Sequence, residues 1–310
     1  MLKKITILFF ILFSLNSFSE NQELYKERMK NLIKEIKLNS SKNKILIIQN
    51  GSEVFFKDEV IDENFIVDID GISQESLFYG EEGKIGEKTS KKAREYLLNN
   101  LVKIKEKGIV VFDVNYSNSK RNRKEIEKKN KKYGFIGEEI NKFSADTFNV
   151  PINDFNKEDI SKLSDVKNFL YLLNPQKFEN IEEYFRALCN TDYDMLIIEP
   201  SYNGKFFTKK QIEKLKYKYN GSRRLVIAYF SIGEIEDYRY YWKKEWNKRL
   251  PKWIEKENSN WKGNFIVQYW SDEWRKLVKD YQKKLDEINV DGYYLDTIDS
   301  FYYFEEKIKE

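Results

Sequence analysis

The chain has 310 residues, 41% hydrophobic and 34% charged, which suits one large domain or two small ones with a sizeable core and argues against disorder. Basic residues number 55 against 51 acidic, and a formal charge of +4 lacks the concentrated basic excess of a nucleic-acid binder. There is no histidine and a single cysteine, Cys189, so histidine triads, histidine or cysteine-cluster metal sites and an intramolecular disulfide are excluded. Chemistry is left to carboxylates, Lys, Tyr or Ser, and neither metal nor cofactor is expected.

The first residues, MLKKITILFFILFSLNSFSE, read as an export signal. Lys3 and Lys4 make a positive start, Ile5–Leu15 is an apolar run too short for a comfortable membrane span, and Ser17 and Ser19 are small residues placing cleavage near Ser19. The expected domain boundaries are therefore 1–19 for the signal and 20–310 for the mature domain. The expected location is secreted or periplasmic, with no stable membrane insertion after cleavage.

Beyond residue 20, short apolar runs alternate with amphipathic segments. In chain order the runs are Ile45–Ile48, Phe65–Ile69, Ile109–Phe112, Phe169–Leu173, Met195–Ile198, Leu225–Phe230, Phe265–Val267 and Gly292–Leu295. Near-continuous apolar runs suit parallel strands buried on both faces. Helical stripes separate several of them: Tyr25, Met29, Leu32, Ile33 and Ile36, then Ala93, Tyr96, Leu97, Leu101 and Ile104, and finally Trp274, Leu277, Val278, Tyr281, Leu285 and Ile288. Eight strands with interposed helices predict an α/β fold of the (β/α)8 TIM-barrel type. No Gly-rich phosphate turn follows any run, which disfavours a doubly wound sheet.

Polar residues follow every run: Gln49 and Asn50, Asp70 and Glu75, Asp113, Asn174, Glu199, Ser231 and Glu234, Gln268 and Tyr269, and Asp296. In a barrel these would ring one mouth, where such enzymes keep their sites. Taken singly, each is an ordinary loop or cap residue; the ring carries the argument.

Three long segments narrow the reading: VIAYFSIGEIEDYRYYW (226–242), FIVQYWSDEW (265–274) and DGYYLDTIDSFYYF (291–304). Together they resemble glycoside hydrolase family 114, whose activity is endo-α-1,4-polygalactosaminidase. IIQNGSE (47–53), IDGISQESLFYG (69–80) and VVFDVNY (110–116) resemble elements the family carries after its YLDxxD strand. The resemblance thus implies a circularly permuted barrel. Residues 20–140 match the family's carboxyl-terminal part, 141–166 join the old ends, and 167–310 match its amino-terminal part. Permutation at a surface site leaves core contacts intact, and it requires the chain ends to lie close together.

Glycoside hydrolysis needs two carboxyl groups flanking the scissile bond. By resemblance Asp296 matches the family's catalytic aspartate, expected as nucleophile or base, and Glu75 matches its second carboxylate, expected as the acid. Asp299 stands three residues beyond Asp296, able to cap the next helix or to meet sugar. Glu234 is expected to bind substrate, with Glu236 placed either to do so or to pair with Arg239. Gln49 and Asn50 offer donors and acceptors to hydroxyl or acetamido groups. Asp113 and Glu199 complete the polar set, and Tyr229, Tyr269, Trp270 and Tyr294 are candidates to pack on sugar faces. The implied partner is an amino-sugar polymer, an α-1,4-linked galactosamine-containing polysaccharide, with no nucleic acid. Two other readings use the same residues, a non-catalytic carbohydrate-binding barrel and a glycosidase for another exopolysaccharide.

Overall fold

The computed structural model describes residues 20–41, 44–146, 148, 152 and 154–307. The export-signal reading of residues 1–19 falls outside them. Eight parallel strands form one sheet: β1 Ile45–Gln49, β2 Gly71–Glu75, β3 Val110–Tyr116, β4 Ile136–Ile140, β5 Phe169–Leu172, β6 Met195–Ile198, β7 Leu225–Ser231 and β8 Gly292–Asp296. Neighbours in sequence are neighbours in the sheet, and β8 closes back on β1 through Ile45↔Gly292 to Ile48↔Leu295. No ladder joins β4 to β5, so the barrel is nearly closed, with its seam in the middle of the chain. Helices α1 Glu20–Asn39, α2 Glu63–Ile66, α3 Lys91–Glu106, α4 Lys120–Tyr133, α5 Ile181–Cys189, α6 Lys209–Leu215, α7 Asp272–Glu287 and α8 Phe301–Lys307 make the remaining helical structure, apart from single turns. None among the described residues is long and apolar enough to cross a membrane.

The expected fold is present, but two of the expected strands are not barrel strands. Phe65 and Ile66 lie in α2, which Asp62 starts by accepting the Asn64 N–H at 3.1 Å. The strand comes a few residues later, as GISQE. Phe265–Val267 is a strand of a separate three-stranded antiparallel sheet, between Glu234–Glu236 and Ile254–Glu257. The barrel strand that apolar runs do not reveal is IGEEI, with Glu138 and Glu139 both buried. Polar strands escape a search for apolar runs because a barrel turns alternate residues inward, and inward positions near the mouth serve the site.

Alternation sorts the strand residues cleanly. Ile47, Phe112, Val114, Tyr116, Tyr171, Ile197, Tyr229 and Tyr294 belong to a cluster inside the barrel. Leu46, Ile48, Val111, Leu196, Val226 and Leu295 join the larger cluster between strands and helices. The amphipathic stripes dock there. Helix α7, for example, is capped by the Ser271 hydroxyl accepting the Trp274 N–H at 3.2 Å, and buries Trp274, Val278, Tyr281 and Leu285. Burial of such large side chains is worth about 1.5–3 kcal/mol each, far more than the cap. Helices α1 and α8, near the two ends of the chain, pack together, with the Tyr25 and Phe304 rings stacked at 5.4 Å.

Candidate active site

The carboxyl ends of β1, β2 and β8 are adjacent, and each is followed by a residue in the left-handed region: Asn50 (φ 55°), Ser76 (φ 55°) and Thr297 (φ 62°). For a β-branched threonine this conformation is strained, and such strain persists only where surroundings enforce it. Here the enforcement is visible. The Thr297 hydroxyl donates to the Asp296 carbonyl (2.6 Å), lies 3.0 Å from the Ser231 hydroxyl and accepts the Gly233 N–H (2.7 Å). A Cβ on Gly233 would sit 2.1 Å from the Thr297 carbonyl oxygen, so only glycine lets the two loops approach this closely. The Thr297 N–H then donates to Asp296 Oδ1 at 2.7 Å. These contacts aim the aspartate from the end of a buried strand, and its side chain remains half-buried at the mouth.

Glu75 is held from three sides. Tyr116 Oη and Tyr171 Oη both donate to Oε1, the latter at 3.1 Å, and Asn50 Nδ2 donates to Oε2 at 3.3 Å. Asn50 Oδ1 also accepts the Glu75 N–H and Gln74 Nε2, each at 3.0 Å. Asp296 has a different environment. Burial and then the nearby Glu75 charge push its carboxyl well above the usual carboxylate range, against the Thr297 N–H and a hydrogen bond from Tyr229. The two carboxyl groups thus differ in their surroundings: Glu75 accepts three side-chain donors, whereas Asp296 is pushed toward its protonated form. Asp299, also half-buried, is raised to about 6 by burial and by Glu75. It lies inside the single turn Ile298–Ser300 whose N-cap position is taken by Thr297, so it joins the acidic group at the mouth.

Gln49 points into the barrel from β1: its Oε1 accepts the Tyr294 hydroxyl proton, and Tyr294 Oη lies 2.9 Å from Ser73 Oγ. Tyr294 is fully buried beneath the pair, a floor residue rather than a sugar platform. Gln49 Nε2 is buried without a partner. Glu234 enters from the antiparallel sheet; Asn258 Nδ2 donates to its Oε1 at 2.7 Å while Oε2 has no partner. Burial raises its pKa to about 7, with Asp299 adding to the effect. Tyr229 is buried next to Asp296, with the Arg239 guanidinium 5.7 Å from its ring centre.

The other expected site residues are engaged in other contacts. Glu199 is spent on a buried ion pair, 2.9 Å from Arg239 Nη2, and accepts the Ser201 hydroxyl at 2.5 Å. Glu236 pairs with the same arginine and also accepts from Tyr238. Both glutamates position the loop after β7 and have no free oxygen to offer a sugar. Tyr269 is fully buried, its hydroxyl donating to the Tyr25 carbonyl at 2.8 Å and its ring edge-on to Trp270 and Phe304. Tyr269 and Trp270 thus fasten α8 and α1 instead of facing the mouth. Asp70 sits at the opposite end of the barrel, accepting the Leu46 N–H at 2.8 Å, and Asn174 makes a local turn with the Gln176 N–H. Asp113 is fully buried but falls on the outward alternation of β3, toward α4. Sequence reasoning missed Tyr116, Tyr171 and Thr297; inward parity along β3 and β5 was the available signal for the two tyrosines.

Asp296, Glu75 and Asp299 thus gather at the carboxyl-terminal mouth of a (β/α)8-type barrel, where such barrels keep their active sites. Residues 191–309 match the model of glycoside-hydrolase family GH114, and the nearly closed parallel barrel is consistent with that likeness. The matched stretch includes Asp296, Asp299 and Glu234 and excludes Glu75. The chain is 37% identical over 155 residues to the uncharacterized protein MJ1477 of Methanocaldococcus jannaschii, covering 49% of this chain and 43% of that protein. It is 32% identical over 140 residues to an uncharacterized protein of Thermotoga maritima, covering 45% and 41%. A 78-residue match at 38% identity links it to an uncharacterized protein of Deinococcus radiodurans, a quarter of each chain. The aligned stretches thus span less than half the length of these curated relatives.

Proposed function

We propose that the protein is an exported glycoside hydrolase acting on an α-1,4-linked galactosamine-containing polysaccharide. The observation that carries the reaction class is the unequal carboxyl pair, with Glu75 held by Tyr116, Tyr171 and Asn50 and Asp296 kept protonated by burial and by Glu75. Asp296 donates its proton to the leaving glycosidic oxygen, and Glu75 attacks the anomeric carbon or activates water. Acidic groups at Asp299 and Glu234 favour a sugar bearing amines over an anionic one. The substrate itself rests on the family resemblance, and export on the signal-like start of the sequence.

The permuted order is part of the same proposal. Supporting it, α1 packs on α8, whereas the unpaired seam lies between β4 and β5, where the family's own ends would meet.

The role assignment is tested with substrates of different leaving group. A folded Asp296→Asn variant should recover turnover on aryl glycosides with acidic phenol leaving groups, which need no proton, while Glu75→Gln should remain inactive on both. Recovery by Glu75→Gln instead would invert the roles.

A further inference from the structure

Strand β3 presents two faces with different duties. Phe112, Val114 and Tyr116 point into the barrel, and Tyr116 reaches Glu75. Asp113 and Asn115 alternate with them on the outer face, and both are completely buried. Asn115 Nδ2 donates to Asp113 Oδ2 at 2.6 Å. Its other end, Oδ1, accepts two backbone N–H groups from the loop that leaves Glu75, Phe78 at 2.9 Å and Tyr79 at 3.0 Å. An amide has one acceptor end and one donor end. Turned over, Asn115 would aim its NH2 at two N–H groups and its oxygen at Asp113 Oδ2. Asp113 therefore fixes which end of Asn115 faces the loop.

The loop so held is the one that sets Glu75. It begins with left-handed Ser76, whose N–H donates to the Val114 carbonyl at 2.8 Å, and returns to β3 where the Tyr116 N–H donates to the Tyr79 carbonyl at 3.1 Å. Gly80 closes it against Tyr116: a Cβ there would stand 2.8 Å from the tyrosine's own Cβ. The loop is thus pinned at Ser76, Phe78, Tyr79 and Gly80, all to β3, and the same strand carries the tyrosine bound to Glu75.

We propose that Asp113 and Asn115, which never meet the substrate, are positioning residues that hold Glu75 and Tyr116 in their working geometry. This rests on the glycosidase reading for its kinetic consequence, but the lock itself is independent of that reading. A displacement of about 1 Å at a reacting group lowers rates by roughly a hundredfold. Loosening one anchor of several should therefore reduce kcat by about tenfold or more and leave KM nearly unchanged, because no substrate contact is removed.

The experiment compares Asp113→Leu, which removes the acceptor, with Asp113→Asn, which keeps an oxygen for Asn115 Nδ2. Backbone hydrogen exchange of residues 76–80 is followed by mass spectrometry, and kcat and KM are measured on the polymer. Expected are at least tenfold faster exchange in 76–80 and a tenfold loss of kcat for Asp113→Leu, with both restored toward the parent in Asp113→Asn. Asn115→Ala is the second variant, in case Asp113→Leu fails to fold, and should show the same exchange signature. Parental exchange in 76–80 for a folded Asp113→Leu or Asn115→Ala variant overturns the proposal, as does faster exchange with undiminished kcat. A parent inactive on every polymer overturns the glycosidase reading and with it the kinetic role, while the exchange result still decides the lock.

Discussion

Replacing Asp113 by asparagine should stabilise the protein in a strongly pH-dependent way. Asp113 is fully buried, and its Oδ1 has no hydrogen-bond partner although the Asn130 amide lies beside it. Burial raises its pKa from 3.8 to about 7, against the opposing pull of Asn130 and Asn115. Between these values the folded protein binds a proton that the unfolded chain has released, so stability falls as pH rises. Each pH unit costs about 1.4 kcal/mol, and the interval from 3.8 to about 7 amounts to about 4 kcal/mol, fully lost above pH 7. Asparagine has the same shape and no charge to desolvate, and its NH2 can donate to Asn130 Oδ1, itself buried without a partner. Urea unfolding of parent and variant at pH 4, 6 and 8 measures the difference. The expected gain for Asp113→Asn is near zero at pH 4 and rises to several kcal/mol at pH 8. A gain that does not change with pH, or a variant less stable than the parent at pH 8, would refute the reasoning.

Other consequences can be checked alongside. Tyr116→Phe and Tyr171→Phe each remove one donor from Glu75; each should lower kcat about tenfold, and the double variant more, as read from initial rates on the polymer. Gly233→Ala drives a methyl into the Thr297 carbonyl and should lower the urea midpoint by an amount equivalent to about 1–3 kcal/mol, whereas Gly204→Ala, where nothing lies within 4 Å, should cost less. Arg239→Met leaves Glu199 and Glu236 buried without their cation and should destabilise the fold by about 3–5 kcal/mol at pH 8, measured by urea unfolding. A chain reordered to begin near Asn168, with residues 307 and 20 joined by a short linker, should fold with the parental circular dichroism spectrum; failure to fold would count against permutation.

The apolar runs ILII, MLII, LVIAYF and GYYL were legible as barrel strands because their residues are buried on both faces. The strands GISQE and IGEEI were not, since their inward positions carry the polar groups of the mouth or seam and mimic loop sequence. FIVDI misled in the opposite sense: a short apolar run does not by itself distinguish a strand from a buried helical turn, and here Asp62 caps a turn of helix. Among site residues, Asp296 and Glu75 were accessible through motif and strand-end position. The diversion of Glu199 to Arg239 was not, because it depends on a partner 40 residues away. Asp113 shows the general difficulty most clearly, since one step along a strand separates a residue facing the barrel interior from one facing the helices.

The most direct test of the account is to incubate the mature protein with α-1,4-linked galactosamine polymer, acetylated and not, and to count new reducing ends beside Glu75→Gln and Asp296→Asn, with folding verified by circular dichroism. Oligosaccharide release by the parent and a loss of about 10³-fold or more in both folded variants are expected. Binding of polymer without release by the parent, or parental turnover by either folded variant, would contradict the account.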